Sequence, residues 1–171
     1  MKIIEDILKS KIKPKEKQLK LVETVCNGKI NDKEFIEFFK SASDVDKGTC
    51  ADVMKHVSEQ KPEILAPYID VLVEYINYKT PRVKWGVPES LGNMAKKYPD
   101  KVEKAIPKLL LNTKDESTVV RWCAGYALSE IAKYNTKKQK ELLSIFSEIV
   151  KKEKNNGVKN IYLKTLKILG Q

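Results

Sequence analysis

Two pairs of residues, each spaced one helical turn apart, carry the most suggestive chemistry in this chain. Trp85 is followed four residues later by Glu89, and Trp122 four residues later by Tyr126. A basic residue, Lys84 or Arg121, stands immediately before each tryptophan. Each tryptophan also lies two residues past an apolar valine, Val83 or Val120, so at roughly 100° per residue it points about 200° away from the stripe that the valine belongs to. Trp85, Glu89, Trp122 and Tyr126 are therefore expected to project off the core. Such a set suits two tasks. Tryptophan, tyrosine and arginine dominate protein-interface hot spots, and aromatic faces with cations beside them stack exposed bases. The competing reading buries the tryptophans between neighbouring helices.

Other catalytic chemistry finds little support. A single histidine, His56, cannot build a multi-histidine metal centre, and its helical neighbourhood reads as partly exposed structure. Phosphate-loop, dinucleotide-loop, nucleophile-elbow and HExxH motifs are missing from the sequence. Cys26, Cys50 and Cys123 are odd in number, widely spaced and set in apolar helical patterns, so they read as buried thiols rather than as disulfides or metal ligands. Cys123 has no histidine near it in sequence to generate a thiolate. No cofactor and no metal are implied.

The formal charge is +10, which invites a nucleic-acid reading, and its distribution tempers that reading. Residues 1–32 hold 8 Lys against 5 acids, residues 33–135 hold 16 basic residues against 15 acids, and residues 136–171 hold 9 Lys against 3 acids. The excess sits at the two ends, where a terminal repeat needs a polar outer face. Arg82 and Arg121 are the only arginines, so bidentate recognition of guanine or phosphate has few candidates. The run MKIIEDILKSKIKPKEK carries acids inside its apolar part and does not read as a secretory signal, and no stretch approaches the ~20 apolar residues of a membrane span. The expectation is a cytoplasmic protein without a membrane partner.

The elements that must position these residues are all helical. Apolar periodicity predicts ten helices, at 3–12, 15–27, 33–41, 47–60, 64–78 and 82–98, two across the stretch 107–132, then 136–154 and 157–169. Asn27-Gly28 supplies a stop, Asn31 or Asp32 a cap, and Pro62 an opening. Pro88 lacks a backbone donor, so the sixth helix is expected to kink or restart near Gly86-Val87. Gly86, Gly92 and Gly125 call for a packing or access reason. No window alternates long enough to predict a strand.

These helices repeat. Val83-Lys84-Trp85 with Leu91 recurs as Val120-Arg121-Trp122 with Leu128, 37 residues on. Thirty-seven residues upstream the block aligns with Lys47 and Met54, and 38 residues downstream with Lys159 and Leu166. A period of about 37 residues built from helix pairs is the signature of an α-solenoid. The unit with Pro107, Asp115, Val120-Arg121, Ala124, Ala127, Leu128 and Ile131 resembles a HEAT repeat. That resemblance implies an all-α, right-handed α-α superhelix of about four HEAT-like pairs, at 33–61, 62–99, 100–135 and 136–171, after an N-terminal helical pair at 1–32, in one domain.

The resemblance also implies that turn aspartates bridge to the basic residue of the second helix, Asp115 to Arg121 and more weakly Asp46 to Lys47. The turn before Arg82 departs from this pattern and has no aspartate. If second helices line a concave face, as in HEAT solenoids, that face shows Trp85, Glu89, Trp122 and Tyr126, with glycines leaving a shallow groove rimmed by Lys84 and Arg121. The function this implies is a non-enzymatic scaffold or adaptor for a protein or peptide partner. The alternative is a nucleic-acid binder related to DNA-alkylation-repeat glycosylases, which also set a carboxylate beside tryptophans; Glu89 and Asp52 are the acids that the alignment puts there. That family's local motifs do not match this chain.

Overall fold

In the computed structural model, which describes residues 1–170, ten helical rods follow one another. The first four are α1 (Lys2–Lys9), α2 (Pro14–Cys26), α3 (Asp32–Ser41) and α4 (Asp44–Gln60). The fifth is composite, with α5 (Pro62–Leu65) and α6 (Ile69–Tyr75) joined by a 3-10 turn at Ala66–Tyr68. After α7 (Pro81–Met94) comes a second composite rod, α8 (Pro99–Val102) and α9 (Ile106–Asn112), joined by a 3-10 turn at Glu103–Ala105. The rods α10 (Thr118–Tyr134), α11 (Thr136–Lys152) and α12 (Asn156–Leu169) complete the chain. Both composite rods open on a proline, Pro62 or Pro99, at the first-turn position where the missing N–H is harmless. Pro67 and Pro107 then each delete a donor farther along, and the rod tightens into 3-10 geometry beside them.

Side chains fix most starts. Asn31, Ser43, Ser117, Asn135 and Asn155 each accept from a backbone N–H of the turn they cap. Ser43 carries α4 one turn earlier than its apolar stripe suggests. Its hydroxyl accepts from the N–H of Asp46 and donates to the Asp46 carboxylate at 2.8 Å. Gly28, at φ +76°, takes the left-handed conformation that ends α2. Pro88 does not restart its helix. Continuous helix runs through it, and Ser90 Oγ donates to the Gly86 carbonyl at 2.7 Å.

The rods pair, and the pairs stack. The second members α2, α4, α7, α10 and α12 pack side by side in one layer, and α3, α5/α6, α9 and α11 pack onto it from the other side. One continuous apolar core runs from Ile4 through Val53, Leu91 and Leu128 to Tyr162. Among the described residues the chain is all-α, an α-solenoid of stacked helix pairs. Its glycines explain how tightly the layer closes. A Cβ on Gly86 would stand 2.5 Å from the carbonyl oxygen of Ala51, one on Gly92 would stand 2.9 Å from the Tyr126 ring, and one on Gly125 would stand 3.0 Å from the Tyr162 ring. The glycines therefore do not leave a groove, because the neighbouring helix occupies each space.

Candidate functional site

Helix α7 lies between α4 and α10, and one of its stripes, Trp85, Glu89 and Asn93 at i, i+4 and i+8, meets polar groups from both neighbours. Glu89 is mostly buried and receives Lys55 Nζ of α4 at 3.0 Å and Cys123 Sγ of α10 at 3.5 Å. Partial burial opposes the charge on Lys55, yet the Glu89 carboxylate holds its ammonium above the usual lysine range. Burial and the adjacent Glu89 push the Cys123 thiol up, leaving it an inert donor. Asn93 bridges the same three helices. Its amide donates to Ser58 Oγ at 2.9 Å and to the Lys55 carbonyl at 3.2 Å, and its carbonyl accepts from Tyr126 OH at 2.6 Å. The Tyr126 phenol, raised to about 12 chiefly by burial, stays neutral and donating.

Above this network Trp122 stacks on Tyr126, with ring centroids 5.8 Å apart and planes within 4° of parallel. Trp122 remains 38% exposed, an ordered aromatic face open to solvent. Trp85 is half-buried, and its indole N–H is buried without an acceptor. Of the sequence candidates, then, Glu89, Trp122 and Tyr126 come together in one network with Lys55, Asn93 and Cys123. Lys55 and Asn93 were missed, although Asn93 continues the Trp85–Glu89 stripe by one more turn. Asp52 is paired with Arg82.

Lys84 and Arg121 belong elsewhere, to a ladder that couples each repeat to the next. Lys84 Nζ pairs with the Asp115 carboxylate at 2.7 Å, one repeat onward. Arg121 grips Glu153 by two bonds, 2.9 and 3.2 Å, again one repeat onward, and donates to the backbone carbonyls of Asp115 and Glu116 at 3.0 and 3.1 Å. The implied Asp115–Arg121 bridge is thus a backbone contact, and the Asp115 side chain serves the preceding repeat. Asp46 does not pair with Lys47, because its carboxylate closes the cap with Ser43. Lys47, only 6% exposed, donates to the carbonyls of Lys40 and Ala42 and lies 5.9 Å from the centre of the Tyr78 ring, which stands where the next repeats carry Asp115 and Glu153.

Burial works against the charge on Asp115 and Glu153, but their partners prevail. Lys84 with the Ser117 N–H, and Arg121 with the Asn155 N–H, hold both carboxyls below their usual range. The remaining thiols are free. Cys50 is buried and raised to about 12 by desolvation, and Cys26 is partly exposed. His56 is partly exposed beside Glu59 at 3.0 Å. Among the described residues no cluster of three histidine, cysteine or carboxylate side chains could hold a metal, and no helix is long and apolar enough to cross a membrane.

No protein-family model matches the chain, and no curated protein matches it. Solved structures do. An engineered protein from the Northeast Structural Genomics Consortium superposes with a TM-score of 0.75 at 14% identity, over 97% of this chain and 78% of that one. A designed armadillo repeat protein in complex with the peptide (KR)4 superposes with a TM-score of 0.74 at 15% identity, over 95% and 79%. At such identities the likeness is one of fold, that of an armadillo-like helical repeat protein.

Proposed function

We propose that the chain is a non-enzymatic repeat scaffold, a single solenoid domain over residues 1–171, which binds a protein or peptide partner across the face formed by α4, α7 and α10. The observation that carries this reading is the Trp122–Tyr126 stack, an aromatic platform left partly open to solvent and seated on a hydrogen-bonded network that links α4, α7 and α10. A partner's apolar side chain would rest on Trp122, and its backbone amides would reach toward Glu89 and Lys55. Lys84 and Arg121 contribute by fixing the register between repeats rather than by touching the partner. In this reading that face is the concave one, and the designed armadillo neighbour solved with a peptide supports the kind of partner. We place the protein in the cytoplasm, in keeping with its free thiols.

The test is a displayed-peptide selection on the intact protein, counter-selected on a Trp122→Ala, Tyr126→Ala variant whose helicity and melting behaviour are checked first. Sequences enriched on the parent and lost on the variant are expected. A duplex-DNA shift that is lost with the same variant and collapses between two salt concentrations would instead transfer the face to a nucleic acid. Equal enrichment on both proteins would remove the platform from function.

A further inference from the structure

The outer layer contains one junction that is built unlike the others. Between α3 and α6 the space is filled by aromatic rings, Phe39 and Tyr75, with centroids 4.6 Å apart. Between the second and third repeats it is closed by asparagines. Asn77 donates to Asn112 Oδ1 at 2.7 Å and to the Lys108 carbonyl at 3.0 Å, and Asn112 donates to the Ile76 carbonyl at 2.9 Å. Between the third and fourth repeats only one end is tied, where Asn135 donates to the Pro99 carbonyl and Glu103, and Lys137 pairs with Asp100. The residue one repeat beyond Asn112 is Ile149, which has no polar group to reach across. The far halves of α9 and α11 consequently leave a groove of about 720 Å³, floored by Leu110, Leu111, Ile145 and Ile149.

Charge at this groove is one-sided. Its carboxylates Asp115, Glu148 and Glu153 are already paired with Lys84, Lys151 and Arg121. The cations left over at the rim are Lys114, Lys152 and Lys154, all exposed. Leu111 is 65% exposed at the edge of the floor, an apolar side chain where the two preceding repeats carry the exposed carboxylates Glu74 and Glu37.

We infer that this groove is a second docking site, and that it takes an acidic amphipathic helix from a partner protein. Leucine or phenylalanine anchors at i, i+3, i+4 and i+7 would fill the space that rings or asparagines fill at the other junctions, and flanking carboxylates would meet the three lysines. The site lies in the outer layer, apart from the Trp122 platform, so it stands or falls separately.

The test uses the full chain, isotope-labelled, titrated with a synthetic peptide of roughly four helical turns that carries Phe and Leu at those positions and Glu elsewhere. Shift changes are expected at Leu110, Leu111, Ile145 and Ile149. Leu111→Asp is expected to weaken binding by about tenfold or more without altering helicity, because Leu111 already faces solvent. The Lys152→Glu, Lys154→Glu variant is expected to lower affinity most at low salt, while Trp122→Ala leaves it unchanged. The inference is overturned if a scrambled peptide of the same composition binds equally, if Leu111→Asp binds like the parent, or if Trp122→Ala abolishes binding. It is likewise overturned, in favour of a lipid surface, if anionic phospholipid vesicles are bound through Leu111 while the peptide is not.

Discussion

Replacing Arg121 by methionine tests whether the inter-repeat ladder holds the stack in register. The guanidinium is 19% exposed and its partner Glu153 is 6% exposed, so the substitution leaves a mostly buried carboxylate at the edge of the groove with only backbone N–H donors. Removing one member of a buried ion pair typically destabilises by 3–5 kcal/mol. The turn lies near the surface, where water can reach the freed carbonyls of Asp115 and Glu116, so about 3 kcal/mol is the expected loss. For a chain of this length that corresponds to a fall in melting temperature of roughly 6–12 °C. Adding Glu153→Leu removes the stranded charge, and the double variant should recover to within about 1–2 kcal/mol of the parent.

The pH dependence of the same pair should reverse sign. In the parent, Glu153 is held below its ordinary value, so its contribution is complete above the unfolded carboxylate pKa and fades as pH falls through the lower folded one. In Arg121→Met, burial acts without the guanidinium and raises the folded pKa above the unfolded value. Destabilisation then shrinks as pH falls through that raised value, and the two proteins converge in acid. Urea melts at neutral pH and near pH 4 would measure both effects. A loss under about 1 kcal/mol in the single variant, or a double variant no more stable than the single one, would refute the reasoning.

Two further outcomes follow from packing. Gly86→Ala should destabilise by about 1–3 kcal/mol despite the gain in helix propensity, because its Cβ meets the Ala51 carbonyl rather than a movable side chain, and a lowered urea midpoint at unchanged slope would register it. Under native conditions a thiol reagent should modify Cys26 well before Cys50 or Cys123; simultaneous labelling of all three would mean that the layers open far more readily than their burial indicates.

The solenoid was legible because periodicity and the 37-residue spacing depend on neighbours along one helix. Helix starts moved where a cap outweighed the stripe, as at Ser43. Partnerships across helices were harder to read. The bridges expected from Asp115 to Arg121 and from Asp46 to Lys47 do not form between side chains; Asp115 receives Lys84 and Arg121 reaches Glu153, each across one repeat, and nothing in the local pattern of Glu153 announces that it receives Arg121. At the platform, the Trp85, Glu89 and Asn93 stripe follows from spacing alone. That Lys55 and Cys123 converge on Glu89 follows instead from how closely α4 and α10 approach α7, a distance that Gly86 and Gly92 set. Pro88 was expected to kink or restart its helix; the helix does not restart, and it is packed on both flanks by α4 and α10.

The ladder also gives the stack a direction in time. Lys84 and Arg121 each find their carboxylate in a turn about thirty residues later in the chain. During synthesis the guanidinium of Arg121 therefore emerges before Glu153 exists to receive it, and the same lag separates Lys84 from Asp115. Nascent repeats should stay loosely joined until their successor leaves the ribosome, with order advancing from the first pair toward the last as each latch closes behind it.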